Sequence, residues 1–170
     1  MIEVLKNIGR FLVILLLQVV LINKIEISDF LWPIVLVYFI LRLPFNTPGW
    51  ILLMSAFFSG LIFDGFINTP GITAFAMVSI AFIRPYLLRI IQGRDGYQIS
   101  DEPTAGHLGW TWFFKYSITL TFAFHLIFFI ALGFAQDFFL VIIWKSILSS
   151  IFALIVIFLI QLFFVKNARQ

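Results

Sequence analysis

From Phe138 to Val165 the chain runs through almost wholly apolar residues, with Lys145 as its only charge. Comparable runs occupy 49–66, 72–91 and 110–134. None shows the period-two alternation of a barrel strand, and each is about as long as a helix needs to cross a bilayer. In hydrocarbon, backbone groups must be satisfied by the protein itself, so such runs fold as membrane helices. Composition points the same way: 62% of the residues are hydrophobic and 11% charged, against about a quarter charged in an ordinary soluble domain. A soluble fold of this length would lack the polar side chains to cover its surface. The net charge of +3 is no argument for nucleic acid, because the basic residues flank apolar runs. Cysteine is absent, which removes disulfides, thiolate metal sites and cysteine nucleophiles.

The expected architecture is an all-α polytopic membrane protein, one integral domain over 1–170 with six transmembrane helices. Their approximate spans are 5–23, 30–43, 49–66, 72–91, 110–134 and 138–165. The apolar stretch of the first, Phe11 to Ile22, follows Lys6 and Arg10 like a signal sequence, but Asn23-Lys24-Ile25-Glu26 supplies no small-x-small cleavage site, so it is read as a retained span. In the second, Asp29 offers an N-cap and Pro33 falls in the first turn, where its missing N–H costs nothing. Both are short, and the second is either a full span or a half-membrane element beside the first. Asn68-Thr69-Pro70-Gly71 makes a turn, Pro85 kinks the fourth span near its end, and Trp110, Trp112, Phe113 and Phe114 form an interfacial aromatic cluster.

Six spans put both termini on one side. Lys6, Arg10, Arg42, Arg84, Arg89, Arg94, Lys115, Lys166 and Arg169 then share that side, against Lys24 alone on the other. By the positive-inside rule the termini are cytoplasmic. The outer turns carry Glu26, Asp29, Asp64 and Asp137.

Within the third span, Ser55, Ala56, Ser59 and Gly60 cluster, and Ala56, Gly60 and Asp64 recur every four residues on one helical face. Small residues at that spacing let two helices approach closely in lipid. They are expected to form a helix-packing seam for a partner, with Asp64 at its edge and Gly71 in the turn beyond. An acid at a helix C-terminus meets the unfavourable end of the dipole, which suggests a specific role. Asp-Gly is equally an ordinary surface turn.

Gln18, His125 and Lys145 fall at similar depth in the outer half of the membrane, on the first, fifth and sixth spans. They read either as an outward-facing polar pocket or as side chains that snorkel and bond a nearby carbonyl. No catalytic set emerges. Phe57-Phe58-Ser59-Gly60 lacks the leading glycine of a rhomboid-type Gly-x-Ser motif, His125 has no orienting acid at its depth, and His107 and His125 lie far apart. No enzyme activity, cofactor or metal is expected.

The order of features resembles the rod-shape-determining MreD family. The likeness is carried by Ala56-Phe57-Phe58-Ser59-Gly60-Leu61-Ile62-Phe63-Asp64, similar to the family's Gly-Leu-x-x-Asp element, and by Pro70-Gly71-Ile72-Thr73-Ala74, similar to its Gly-x-x-Ala. The resemblance implies a non-enzymatic scaffold of the bacterial inner membrane, part of the machinery that elongates the cell wall. It implies an MreC-like bitopic partner, with MreB-like filaments and cell-wall synthases beyond it, and no nucleic acid. The implied fold is similar to the six-helix substrate-binding subunits of energy-coupling-factor transporters. A vitamin-like ligand in the Gln18/His125/Lys145 pocket is therefore the rival expectation.

Overall fold

The computed structural model describes residues 2–22, 31–92, 103–133 and 138–167. Lys24, Glu26, Asp29, Arg94, Asp137 and Arg169, which entered the sequence reading, lie outside the described residues. In chain order the elements are α1 (Ile2–Leu16), continued by a π-helical stretch at Leu17–Ile22, then α2 (Val37–Leu41), α3 (Gly49–Ile67) and α4 (Ile72–Ile91). After these come α5 (Ala105–Leu108), α6 (Trp110–Gly133) and α7 (Phe139–Asn167). No strand occurs among the described residues, and α3, α4, α6 and α7 are long and apolar enough to cross a membrane. At about 1.5 Å per residue, the 19 residues of α3 rise about 28 Å and the 24 of α6 about 36 Å. The chain is a helical membrane protein.

The ends of the long helices follow local chemistry. Pro48 holds an extended backbone ahead of α3, and its carbonyl accepts the Leu52 N–H at 3.0 Å. Asn68 ends α3 in the left-handed conformation (φ 53°), which asparagine tolerates better than most residues. Gly71, at φ 83°, reverses the chain into α4. α4 then runs through Pro85 as one helix to Ile91.

The long helices pack side by side in chain order, α3 on α4, α4 on α6 and α6 on α7, while α2 sits against α1, α4 and α6. α6 supplies much of the core: Phe113, Tyr116, Leu120, Phe124 and Phe128 have no exposed surface. Phe113 therefore belongs to the interior and not to the interfacial belt expected of it.

The second span departs most from expectation. Residues 31–34 are not helical, a turn follows at 35–36, and α2 covers only Val37–Leu41. Pro33 is thus not in the first turn of a helix. Proline disfavours helical backbone in the residue before it and gives no N–H itself, so Trp32 and Pro33 resist helix formation. The segment is nonetheless deeply enclosed. Ile34, Leu36, Val37, Ile40 and Leu41 are wholly buried, and Trp32 meets Phe128 edge to face at 6.1 Å. Non-helical backbone survives at membrane depth only where protein or a water-filled cavity surrounds it.

Candidate functional site

Two constellations of polar side chains organise the bundle. The first locks α3 to α4. Ala56, Ser59, Gly60 and Asp64 are buried on one face of α3, and Ser55 is half-buried beside them. The serine hydroxyls donate within their own helix, Ser55 to the Leu52 carbonyl and Ser59 to that of Ala56. Their contribution to the seam is small size, not hydrogen bonding across it. A Cβ on Gly60 would lie 2.5 Å from the Ala74 Cα and 2.7 Å from its nitrogen, so only hydrogen fits there. Gly71, by contrast, has open space around its missing Cβ and is required for its φ alone.

Asp64 completes the lock. One carboxylate oxygen accepts the Thr69 hydroxyl and the Thr73 N–H, each at 2.9 Å, and the other accepts the Ala74 N–H at 3.0 Å. Helix α4 has glycine at its N-cap, which has no side chain to satisfy the first free amides. Asp64 does so from the neighbouring helix. Its charge lies at the positive end of the α4 dipole, which offsets its position at the unfavourable end of α3. This face of α3 is filled by α4 of the same chain. The expectation that it receives a partner's helix is corrected accordingly: four-residue spacing marks a close approach but not which helix makes it.

The second constellation holds residues 31–43. Gln18, in the π-helical stretch, donates from Nε2 to the Pro33 carbonyl at 3.0 Å and accepts the Val35 N–H on Oε1 at 2.6 Å. His125 accepts the Ile34 N–H on Nε2 at 3.2 Å, and its Nδ1 lies 2.8 Å from the Thr121 carbonyl. Since a carbonyl can only accept, Nδ1 carries the proton and the ring is neutral. Ser149 of α7 accepts the Trp32 N–H at 3.0 Å. Three amides, those of Ile34 and Val35 buried and that of Trp32 partly so, and a carbonyl outside any helix ladder thereby gain partners from α6, α7 and the Gln18 stretch. Left unpaired, each would cost about 1–3 kcal/mol.

The far end of the segment is held by Tyr116 and Arg84. Tyr116 donates its hydroxyl to the Leu41 carbonyl at 3.1 Å and accepts from Arg84 Nε at 2.7 Å, while a second Arg84 nitrogen donates to the Leu43 carbonyl. Arg84 is 2% exposed. Its guanidinium bonds the Leu43 carbonyl just past α2, near the end of a helix that favours positive charge. Between the two ends, the Tyr38 hydroxyl donates to Oε1 of the buried Gln161 at 2.8 Å.

These positions alter the expected pocket. Gln18 and His125 do come together, but around the backbone of residues 33–35 and not around an open cavity; both are wholly buried. Lys145 is half-buried on α7, one turn before Ser149. The sequence reading missed Arg84, Tyr116, Ser149 and Gln161. Arg84 carried a usable signal, an ionisable residue well inside an apolar span, but was counted among the flanking charges that set orientation. Arg42, counted the same way, is 7% exposed and also interior. Ser149 and Tyr116 carried no such signal, since hydroxyls are ordinary in membrane helices.

No protein-family model, curated protein or solved structure matches this chain.

Proposed function

We propose that this protein is a non-enzymatic scaffold of the MreD type in the bacterial inner membrane. In this reading it binds an MreC-like bitopic protein and through it couples MreB-like filaments to cell-wall synthases. The supporting observation is that the residues carrying the family resemblance are those that lock α3 to α4. Gly60 and Ala74 make the close approach, Asp64 caps α4, and Gly71 turns the chain between them. A motif with so definite a mechanical role is a stronger basis for kinship than the same letters in unstructured apolar sequence. Six membrane passes, with α1 and the 31–43 segment completing the four long helices, keep both termini cytoplasmic. Because the seam is closed within the chain, the partner contact lies on another surface. A scaffold role also fits His125, whose two ring nitrogens are already engaged and leave no lone pair for general-base chemistry.

The test is depletion in the native bacterium, with a tagged copy used for co-purification. Rounded cells and recovery of a one-span protein with a periplasmic coiled coil are expected. Rod shape that survives depletion, together with no such partner, overturns the reading.

A further inference from the structure

Beyond the Gly60–Ala74 contact, α3 and α4 bound a cavity of about 260 Å³ whose walls include Gly49, Leu52 and Leu53 of α3 and Ala81, Phe82 and Pro85 of α4. Gly49 adds no side chain there, and a Cβ on it would meet nothing within 4 Å. Phe82 is 58% exposed, so the cavity opens toward lipid. At its end nearest Ile91 stand Tyr86 and Arg89, the guanidinium 5.9 Å from the tyrosine ring centre.

Pro85 sits within α4 and has no N–H, so the Ala81 carbonyl lacks its usual donor. Residues four apart share a helix face, and a helical carbonyl points along the axis toward the nitrogen four residues on. The freed oxygen therefore lies under the proline ring, on the side from which both residues meet the cavity. Neighbouring polar side chains of α4 are spent elsewhere: Ser79 on the Phe75 carbonyl, Arg84 on Tyr116 and the Leu43 carbonyl. Ala81 precedes Ile91 by ten residues, about 15 Å along the axis. At that depth in a bilayer neither water nor a lipid headgroup supplies a donor.

We infer that this cavity docks the transmembrane helix of a one-span partner protein, which places a serine or threonine hydroxyl on the Ala81 carbonyl. The complementarity is electrostatic. An acceptor without a donor of its own, set in hydrocarbon, meets the one kind of group that lipid chains lack. Hydroxyls that bond across helices, beside small residues that let backbones approach, are a recurrent means of helix association in membranes. A second copy of this chain fits less well, because the outward hydroxyls Ser79 and Thr119 already donate to the Phe75 and Lys115 carbonyls. The inference gives the scaffold reading its contact surface and rests on that reading only for the partner's identity.

The probe is a synthetic transmembrane peptide of leucine and alanine with one serine at its centre, compared with a twin in which alanine replaces that serine. Each is titrated against the full chain in phosphatidylcholine vesicles, with binding read by energy transfer to a dye on Ile90→Cys. Wild type is expected to bind the serine peptide roughly threefold to fifteenfold more tightly, the range of interhelical hydrogen bonds in membranes. Pro85→Ala returns an N–H to the Ala81 carbonyl. It should bind the two peptides equally, while the thermal midpoint of the free chain rises by about 2 °C or more. Leu53→Trp, which fills the cavity from α3, should weaken both peptides roughly tenfold. Leu148→Trp, on the outward face of α7, should change neither. No binding, or equal binding of the two peptides by wild type, overturns the inference. So does a serine preference that persists in Pro85→Ala, or a midpoint that fails to rise there. Self-association of the chain that Leu53→Trp abolishes overturns it in favour of a second copy. The depletion experiment is separate: rounded cells without a peptide preference sink the docking site alone, and a preference with intact rod shape sinks the scaffold reading alone.

Discussion

Gly60 and Ala74 meet so closely that a methyl group on the glycine would stand 2.5 Å from the Ala74 Cα. The obstacle is backbone, which cannot rotate aside as a side chain would. Gly60→Ala is therefore expected to destabilise the fold by about 1–3 kcal/mol, the usual range for overpacking, and Gly60→Leu by more. Gly65, on the same helix, has nothing within 4 Å of its missing Cβ. Gly65→Ala should be neutral or stabilising, by up to about 1 kcal/mol of helix propensity. Thermal unfolding in detergent separates the two, and equal effects at both sites would refute the close approach.

Asp64 is a helix cap supplied from outside the helix it caps. Asp64→Ala removes three acceptor contacts, and is expected to cost about 1–3 kcal/mol. Asp64→Asn should fall between wild type and Ala, since an amide oxygen can still accept one of the two N–H groups but carries no charge for the α4 dipole. Amide hydrogen exchange at Thr73 and Ala74 checks the mechanism directly. Exchange there should accelerate in Asp64→Ala while the middle of α4, around Ile80, stays protected.

Gln18 serves two backbone groups at once. Gln18→Leu keeps the volume roughly constant but leaves the Pro33 carbonyl and the Val35 amide unpaired. A loss of about 2–5 kcal/mol is expected, more than for His125→Phe, which orphans only the Ile34 amide among the segment's groups. The ordering of the two thermal midpoints is the measurement; a reversed order would mean that His125 carries more of the segment than its one contact to it implies.

Arg84 and Tyr116 act as a unit, because the tyrosine hydroxyl both accepts from the arginine and donates to Leu41. Tyr116→Phe and Arg84→Met should each destabilise. Their effects should combine non-additively, with a coupling of about 0.5–3 kcal/mol in a double-mutant cycle. Additive losses would show that the two side chains brace the segment independently.

Much of the fold was legible because a bilayer leaves a chain few choices. The long runs at 49–66, 72–91, 110–134 and 138–165 correspond to α3, α4, α6 and α7 within a residue or two. The breakers Pro48 and Pro70-Gly71 stand at the boundaries they mark. The close-packing face of α3 was legible too, from small residues at fixed spacing. Its occupant was not, because the spacing of Ala56, Gly60 and Asp64 describes one helix and says nothing of the other. Gln18 and His125 stood out as polar residues at matched depth. That depth suggests a shared environment, yet an open pocket and a clamp on buried backbone present the same letters.

The sequence by itself determined that this chain enters the membrane as helices, where the four long ones, α3, α4, α6 and α7, begin and end, and that α3 presents a face a second helix can approach closely. These follow from local properties, apolar length, prolines and glycines at the ends, and side chains too small to hold a neighbour away. Tertiary structure alone decided that residues 31–36 remain unwound in the interior. Their amides and carbonyls find partners in Gln18, His125 and Ser149, the last two about a hundred residues further along the chain. No local pattern encodes such partners, because an exposed backbone group in hydrocarbon becomes tolerable only once the helices that satisfy it have packed around it.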